Sequence, residues 1–196
     1  MRHLRKEAAV WTAVAVVIAT TALVFQIERP EHLTVLESAK IVEGVVTIDT
    51  LVYALFVGVA WKWAAFRSWL VAVPNLSGSW RGEIVPVVKG DGGEAMRADP
   101  IASTLLIQQT LWTVSCRVET GEMSSVSYVG DFIHEEPDGE SSLVYCYGTD
   151  PVLSRREKNP RHDGAVVLAI REKGNLLVGR YWTDRLTRGE LSYRRE

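Results

Sequence analysis

The chain has 196 residues, 47% of them hydrophobic, and a formal net charge of −2, enough for one ordinary domain and an additional segment. Residues 75–154 hold 4 Lys/Arg against 12 Asp/Glu, a net of −8, while residues 155–196 hold 11 against 6, a net of +5. This distribution lacks the continuous basic face that a DNA or RNA polymer requires. It leaves room for a small anionic ligand, which needs only a few local guanidinium groups.

From the N-terminus, Ala8 to Ile27 is an uncharged run, AAVWTAVAVVIATTALVFQI, as long as the roughly 20 residues that a bilayer core demands of a helix. The run is longer than a signal-peptide core and lacks a clear small-x-small cleavage site, so it reads as a span. A second run, Val45 to Trp61, has Asp49 as its only charge. With Glu28–Gly44 as connecting loop, residues 1–73 read as a transmembrane hairpin with spans at 8–27 and 45–61. Arg2, Arg5 and Lys6 flank the first span and Lys62 and Arg67 follow the second. The positive-inside rule therefore places both termini, and all that follows, in the cytoplasm. Trp61, Trp63 and Trp69 fall where an interfacial aromatic belt is expected.

A carboxylate in a span is costly, about 2.5–3.5 kcal/mol at the centre, so it usually has a partner or a task. Asp49 lies about one turn in from the outer end of its helix, level with Thr20 to Val24 of the first, where Thr20 or Thr21 can hydrogen-bond it. It reads either as a water-reached interfacial group or as an oligomerisation or pore-lining contact.

From Ser77 onward, short runs of alternating polarity replace helical periodicity. Eight strands are expected, at about 77–88, 102–109, 111–119, 124–135, 141–148, 164–172, 175–183 and 189–195. Turn-grade stretches separate them: KGDGGE, ETGE, EPDGE, EKGN and LTRGE, with Thr149–Gly164 as the one long polar connection. Eight strands joined mostly by short turns predict a small, lipocalin-like, antiparallel up-and-down β-barrel over residues 74–196, since closure removes the open edges. An open two-sheet sandwich fits the same pattern. Such a barrel has room for side chains or one small ligand. Cys116 and Cys146 match no metal-ligand spacing and read as buried, reduced thiols.

The first strand opens with PNLSGSWRGEI, where Gly78 and Gly82 bracket Trp80. Glycines there let the strand bend at the barrel floor, and the indole plugs the closed end. Arg194 or Arg195 is placed to lie over it as a cation–π lid. The richest candidate for ligand binding is GRYWTDRLTRG, Gly179–Gly189. Tyr181, Thr183 and Arg185 share one face of a strand, while Arg180, Trp182 and Asp184 share the other. Alternation leaves open which face is inward. The first set is favoured, because it combines a stacking ring, a hydroxyl and a guanidinium suited to phosphate. Tyr128 and Tyr145 add stacking surfaces, Gln108 is a candidate for reading a base edge, and Arg180, Arg185 and Arg81 are the candidate phosphate cluster. No nucleotide-triphosphate loop, serine-hydrolase elbow or zinc-protease motif is present, so no enzyme, metal or cofactor is expected.

Two apolar spans followed by a barrel, with Pro74, Leu76, Gly78, Trp80 and Gly82 opening it and Gly179, Tyr181, Thr183 and Arg185 near its end, resemble the two-transmembrane effectors of bacterial CBASS antiphage systems, the CD-NTase-associated membrane proteins. The resemblance implies a receptor for a cyclic dinucleotide made by a partner nucleotidyltransferase. It implies further that binding drives self-association within the inner membrane, disruption of membrane lipids and cell death. Two other classes compete: a membrane-anchored, lipocalin-like carrier of an apolar ligand, and a scaffold that contacts another protein through its charged rim.

Overall fold

In a computed structural model, residues 4–29, 34–67, 69–89, 94–135, 140–151 and 160–196 are described. The chain divides into two compact units, Met1–Pro74 and Asn75–Glu196.

The first unit contains two helices long and apolar enough to cross a membrane, α1 (Lys6–Glu28) and α2 (Val35–Gly58). The second helix starts ten residues before the expected span and so takes in most of what was expected to be loop. A capping box explains this. The Thr34 hydroxyl accepts the Glu37 N–H, and the Glu37 carboxylate accepts the Thr34 N–H, which starts the helix here. The helices meet closely where Gly44 faces Val24, since a Cβ on Gly44 would sit 3.1 Å from a Val24 methyl. The Thr20 hydroxyl lies 2.9 Å from Asp49 Oδ1, so the in-span carboxylate has the partner expected from its depth. Beyond Gly58 a 3₁₀ turn at Ala60–Lys62 buries Trp61, which removes it from the expected aromatic belt, while Trp63 and Trp69 are exposed.

The second unit is a closed antiparallel barrel. Its strands are β1 (Gly78–Lys89), β2 (Ala95–Arg97), β3 (Ile101–Gln109), β4 (Val114–Thr120), β5 (Met123–Glu135), β6 (Glu140–Pro151), β7 (His162–Arg171), β8 (Leu176–Thr183) and β9 (Arg188–Arg195). Each long strand pairs with the next, and β1 pairs with β9 from Trp80↔Arg195 to Val87↔Arg188, closing the ring. The closed ring, not the sandwich, is thus the architecture. The eight expected strands are all present; β2 is a three-residue addition on the end of β1. The expected turns KGDGGE and EPDGE, and the middle of the Thr149–Gly164 connection, fall largely outside the described residues.

One end of the barrel is solid. Trp80, Leu76, Leu105, Leu111 and Leu177 are all fully buried there. The Trp80 indole N–H donates to the Leu76 carbonyl at 3.0 Å, and the Arg195 guanidinium lies 5.0 Å from its ring centroid while bonding the Asn75 and Ser77 carbonyls. Gly82 is required for closure. A Cβ at that position would stand 1.9 Å from the Ser192 carbonyl oxygen on β9. These features answer the glycine-bracketed tryptophan of the sequence: the ring is the floor, and the glycine lets the last strand reach the first. Trp80→Ala should cost about 3–5 kcal/mol of barrel stability, measured by denaturant unfolding of residues 75–196. A loss under about 1 kcal/mol would mean that the floor does not depend on the ring.

Candidate functional site

With the floor filled, the free volume of the barrel lies toward the opposite end, in a cavity of about 730 Å³. That is within the range of roughly 300–1,000 Å³ typical of small-molecule sites. Its wall is built by strand alternation. On β6, Leu143, Tyr145, Tyr147 and Thr149 point inward, and on β8 and β9 the inward positions include Tyr181 and Tyr193. Four tyrosines therefore line one lumen, with His162, Arg185 and Arg188 at its mouth beside Glu122.

Two tyrosines are seated against inward-facing glycines on the neighbouring strand. Tyr147 pairs with Gly164, where an added Cβ would come within 2.6 Å of the ring. Tyr181 pairs with Gly189, where it would come within 2.5 Å. The missing side chains let each ring lie flat along the wall and leave its other face toward the cavity. Tyr145 and Tyr147, two residues apart, have ring centroids 6.2 Å apart.

The lumen is polar in specific places. The Ser103 hydroxyl donates to the Tyr193 phenol at 3.1 Å, whereas the buried Tyr145 and Thr149 hydroxyls have no hydrogen-bond partner among the described residues. A buried hydroxyl without a partner costs about 1–3 kcal/mol, so both favour a guest that brings its own donors and acceptors. Burial pushes the Tyr193 phenol and the Cys116 thiol each up to about 12 and raises Tyr145, Tyr147 and Tyr181. All remain protonated donors at neutral pH.

The expected site residues divide. Tyr145, Tyr181 and Thr183 face inward, and Arg185 stands at the mouth. Thr183 closes the β8–β9 turn through a 2.6 Å contact with the Thr187 hydroxyl. Arg81, Gln108 and Arg180 lie on the outer wall, because their neighbours Trp80, Ile107 and Tyr181 take the inward positions. Arg81 pairs there with Glu196. Cys146, expected to be buried, is exposed on the outer wall because Tyr145 and Tyr147 on either side of it take the inward positions; Tyr128 also lies outside. It is the extra residue of a β-bulge between Ser127 and Val129, its ring covers Gly148, and its phenol bonds Asp163. Of the expected trio only Arg185 is at the mouth; Arg188 borders the rim from the outer side, in register with Trp182. Sequence reading missed Tyr147, Tyr193 and Arg188. Parity with Tyr145 pointed to the first, since residues two apart on a strand share a face.

Two helices long and apolar enough to cross a membrane, and a floored barrel with a tyrosine-lined mouth, are the parts of a small-molecule receptor with a candidate membrane segment. Residues 71–195 match the family described as Cap15, cyclic dinucleotide receptor domain. The chain is also 30% identical over 151 residues, 77% of its own length and 76% of the relative's, to CD-NTase-associated protein 15 of Staphylococcus schleiferi. It belongs to this Cap15 family of CBASS effectors.

The buried phenols and thiol make alkaline pH a test of the lumen. Unfolded, Cys116 releases its proton near 9.0 and the tyrosines near 10.0, while the folded barrel retains them to higher pH. Above about pH 9 the unfolded chain binds fewer protons, so this stability, complete below that point, is lost as pH rises toward about 12. The denaturant midpoint should be lower at about pH 10.5 than at about pH 7. An equal midpoint would mean that these groups ionise in place.

Proposed function

We propose that the chain is a non-enzymatic CBASS effector whose barrel takes a cyclic dinucleotide from a partner nucleotidyltransferase into the lumen mouth. In this reading, occupancy promotes association of the hairpins and breaches the bacterial inner membrane. The positive flanks support a multi-pass arrangement with both termini and the barrel in the cytoplasm, where such a nucleotide is made. The observation that carries the reading is the mouth itself: two arginines over a tyrosine-lined cavity, in a domain that matches a cyclic dinucleotide receptor family. Tyr147 and Tyr181 present faces for base stacking. Arg185 and Arg188 supply charge-assisted hydrogen bonds to phosphate, and the Tyr145 and Thr149 hydroxyls take up polar edges. A carrier of apolar ligands would have little use for unpartnered hydroxyls inside or for guanidinium groups at the entrance.

Calorimetric titration of the protein with a panel of cyclic dinucleotides tests the reading. Selective, tight binding of one compound is expected, and no binding across the panel would remove the receptor assignment. Arg185→Ala should weaken that binding by about 1.5–3 kcal/mol, whereas Arg180→Ala, on the outer wall, should leave it unchanged. Equal effects would mean that the ligand lies outside the lumen. In the hairpin, Asp49→Leu removes the acceptor for Thr20. It should leave ligand affinity intact while changing assembly and toxicity in cells. Wild-type toxicity would show that the Thr20–Asp49 pair plays no part in membrane output.

A further inference from the structure

Four polar side chains form one row across the lumen wall near the mouth. The register pairs Ser125 with Thr149 and Thr149 with His162. On the other edge of β7, Gly164 pairs with Thr183, and the Asp184 N–H donates to the Asp163 carbonyl at 3.0 Å. One residue further along the same register, His162 stands opposite Arg185. Ser125, Thr149, His162 and Arg185 all line the cavity. Two hydroxyls, an imidazole and a guanidinium thus follow one another from strand to strand, at a spacing of about 4.8 Å. Thr149 is fully buried, and its hydroxyl has no hydrogen-bond partner among the described residues. The imidazole is oriented by the backbone, since its Nδ1 lies 3.1 Å from the Pro160 carbonyl oxygen. A carbonyl only accepts. Nδ1 therefore carries the hydrogen, and Nε2 of the neutral ring is left as an acceptor.

We propose that His162 accepts a hydrogen bond from a free ribose hydroxyl of the ligand while Arg185 beside it holds the adjoining phosphate, so that this row tells a ribose from a deoxyribose backbone. The proposal rests on the receptor reading above and adds which part of the ligand the row reads. Phosphate oxygens are acceptors only, so they suit the guanidinium and are repelled by the lone pair on Nε2. A ribose hydroxyl can donate. In a ribonucleotide it sits on the ring carbon next to the one that carries the phosphate. Hydroxyl and phosphate are therefore a few ångströms apart, which matches two neighbouring strands. After donating to Nε2 the hydroxyl oxygen still accepts, and the Thr149 hydroxyl, on the strand next to His162, is the donor placed for it. The bases have the ring faces of Tyr147 and Tyr181 instead. A site that offers both an acceptor and a buried donor to one hydroxyl discriminates against a ligand without it, because both groups are then left unpaired.

Full-length protein in detergent micelles is titrated calorimetrically with cyclic di-AMP, cyclic di-GMP and cyclic GMP–AMP, each beside the counterpart that lacks its free ribose hydroxyls. For the compound that binds, the deoxy form should be weaker by about tenfold or more, the size of a lost hydrogen bond together with a donor left unpaired. His162→Phe should weaken the ribose form to the level of the deoxy form. It should leave the deoxy form unchanged, which also shows that the variant is folded. His162→Gln, which keeps an acceptor oxygen, should restore part of the preference. Arg185→Ala should weaken both forms by the same factor and keep the preference. Equal binding of the two forms by the wild-type protein, or a preference that survives in His162→Phe, would overturn the proposal while the receptor reading stands. No binding of any of these compounds would remove both.

Discussion

The pairing of β1 with β9 is the constraint on which the rest of this barrel depends. Once the ring closes, every strand has an inside and an outside, and residue parity alone decides which side chains meet the lumen and which meet the surroundings. The pairing is sterically possible because Gly82 has no side chain to strike the β9 backbone. It is held at its end by Arg195, which spans the Trp80 ring and the carbonyls of Asn75 and Ser77. A motif that is only a glycine-bracketed tryptophan in the sequence is thus the joint between the first and last strands.

Filling one end of a narrow barrel has a consequence for the other. The leucines and the indole at the floor take the volume that an eight-stranded ring can pack with side chains, and the tyrosines above them are drawn back against the wall by Gly164 and Gly189. The remaining space is wide enough for a guest, lined by flat ring faces and by hydroxyls held protonated through burial. The arginines stay at the rim, where solvent keeps their charge inexpensive, so a ligand with an anionic backbone and aromatic bases matches the order in which the cavity presents its groups.

Much of this was legible in the chain. Apolar run length gave the two helices, alternation and turn chemistry gave the eight long strands, and depth in the helix put Asp49 level with Thr20 and Thr21, of which Thr20 is its partner. What failed did so for identifiable reasons. The second helix began early because a Thr34–Glu37 capping box outweighed the polar look of the expected loop. Arg180 and Gln108 were placed in the site because alternation fixes which residues share a face but not which face is inward; that depends on pairing with strands far away in sequence. Tyr128 is a different case. A single extra residue in β5 turned it outward, and no local signal marks a bulge within a run of Ser, Val and Tyr. Arg188 was overlooked because it sits where a turn becomes a strand, at the rim, where parity is weakest.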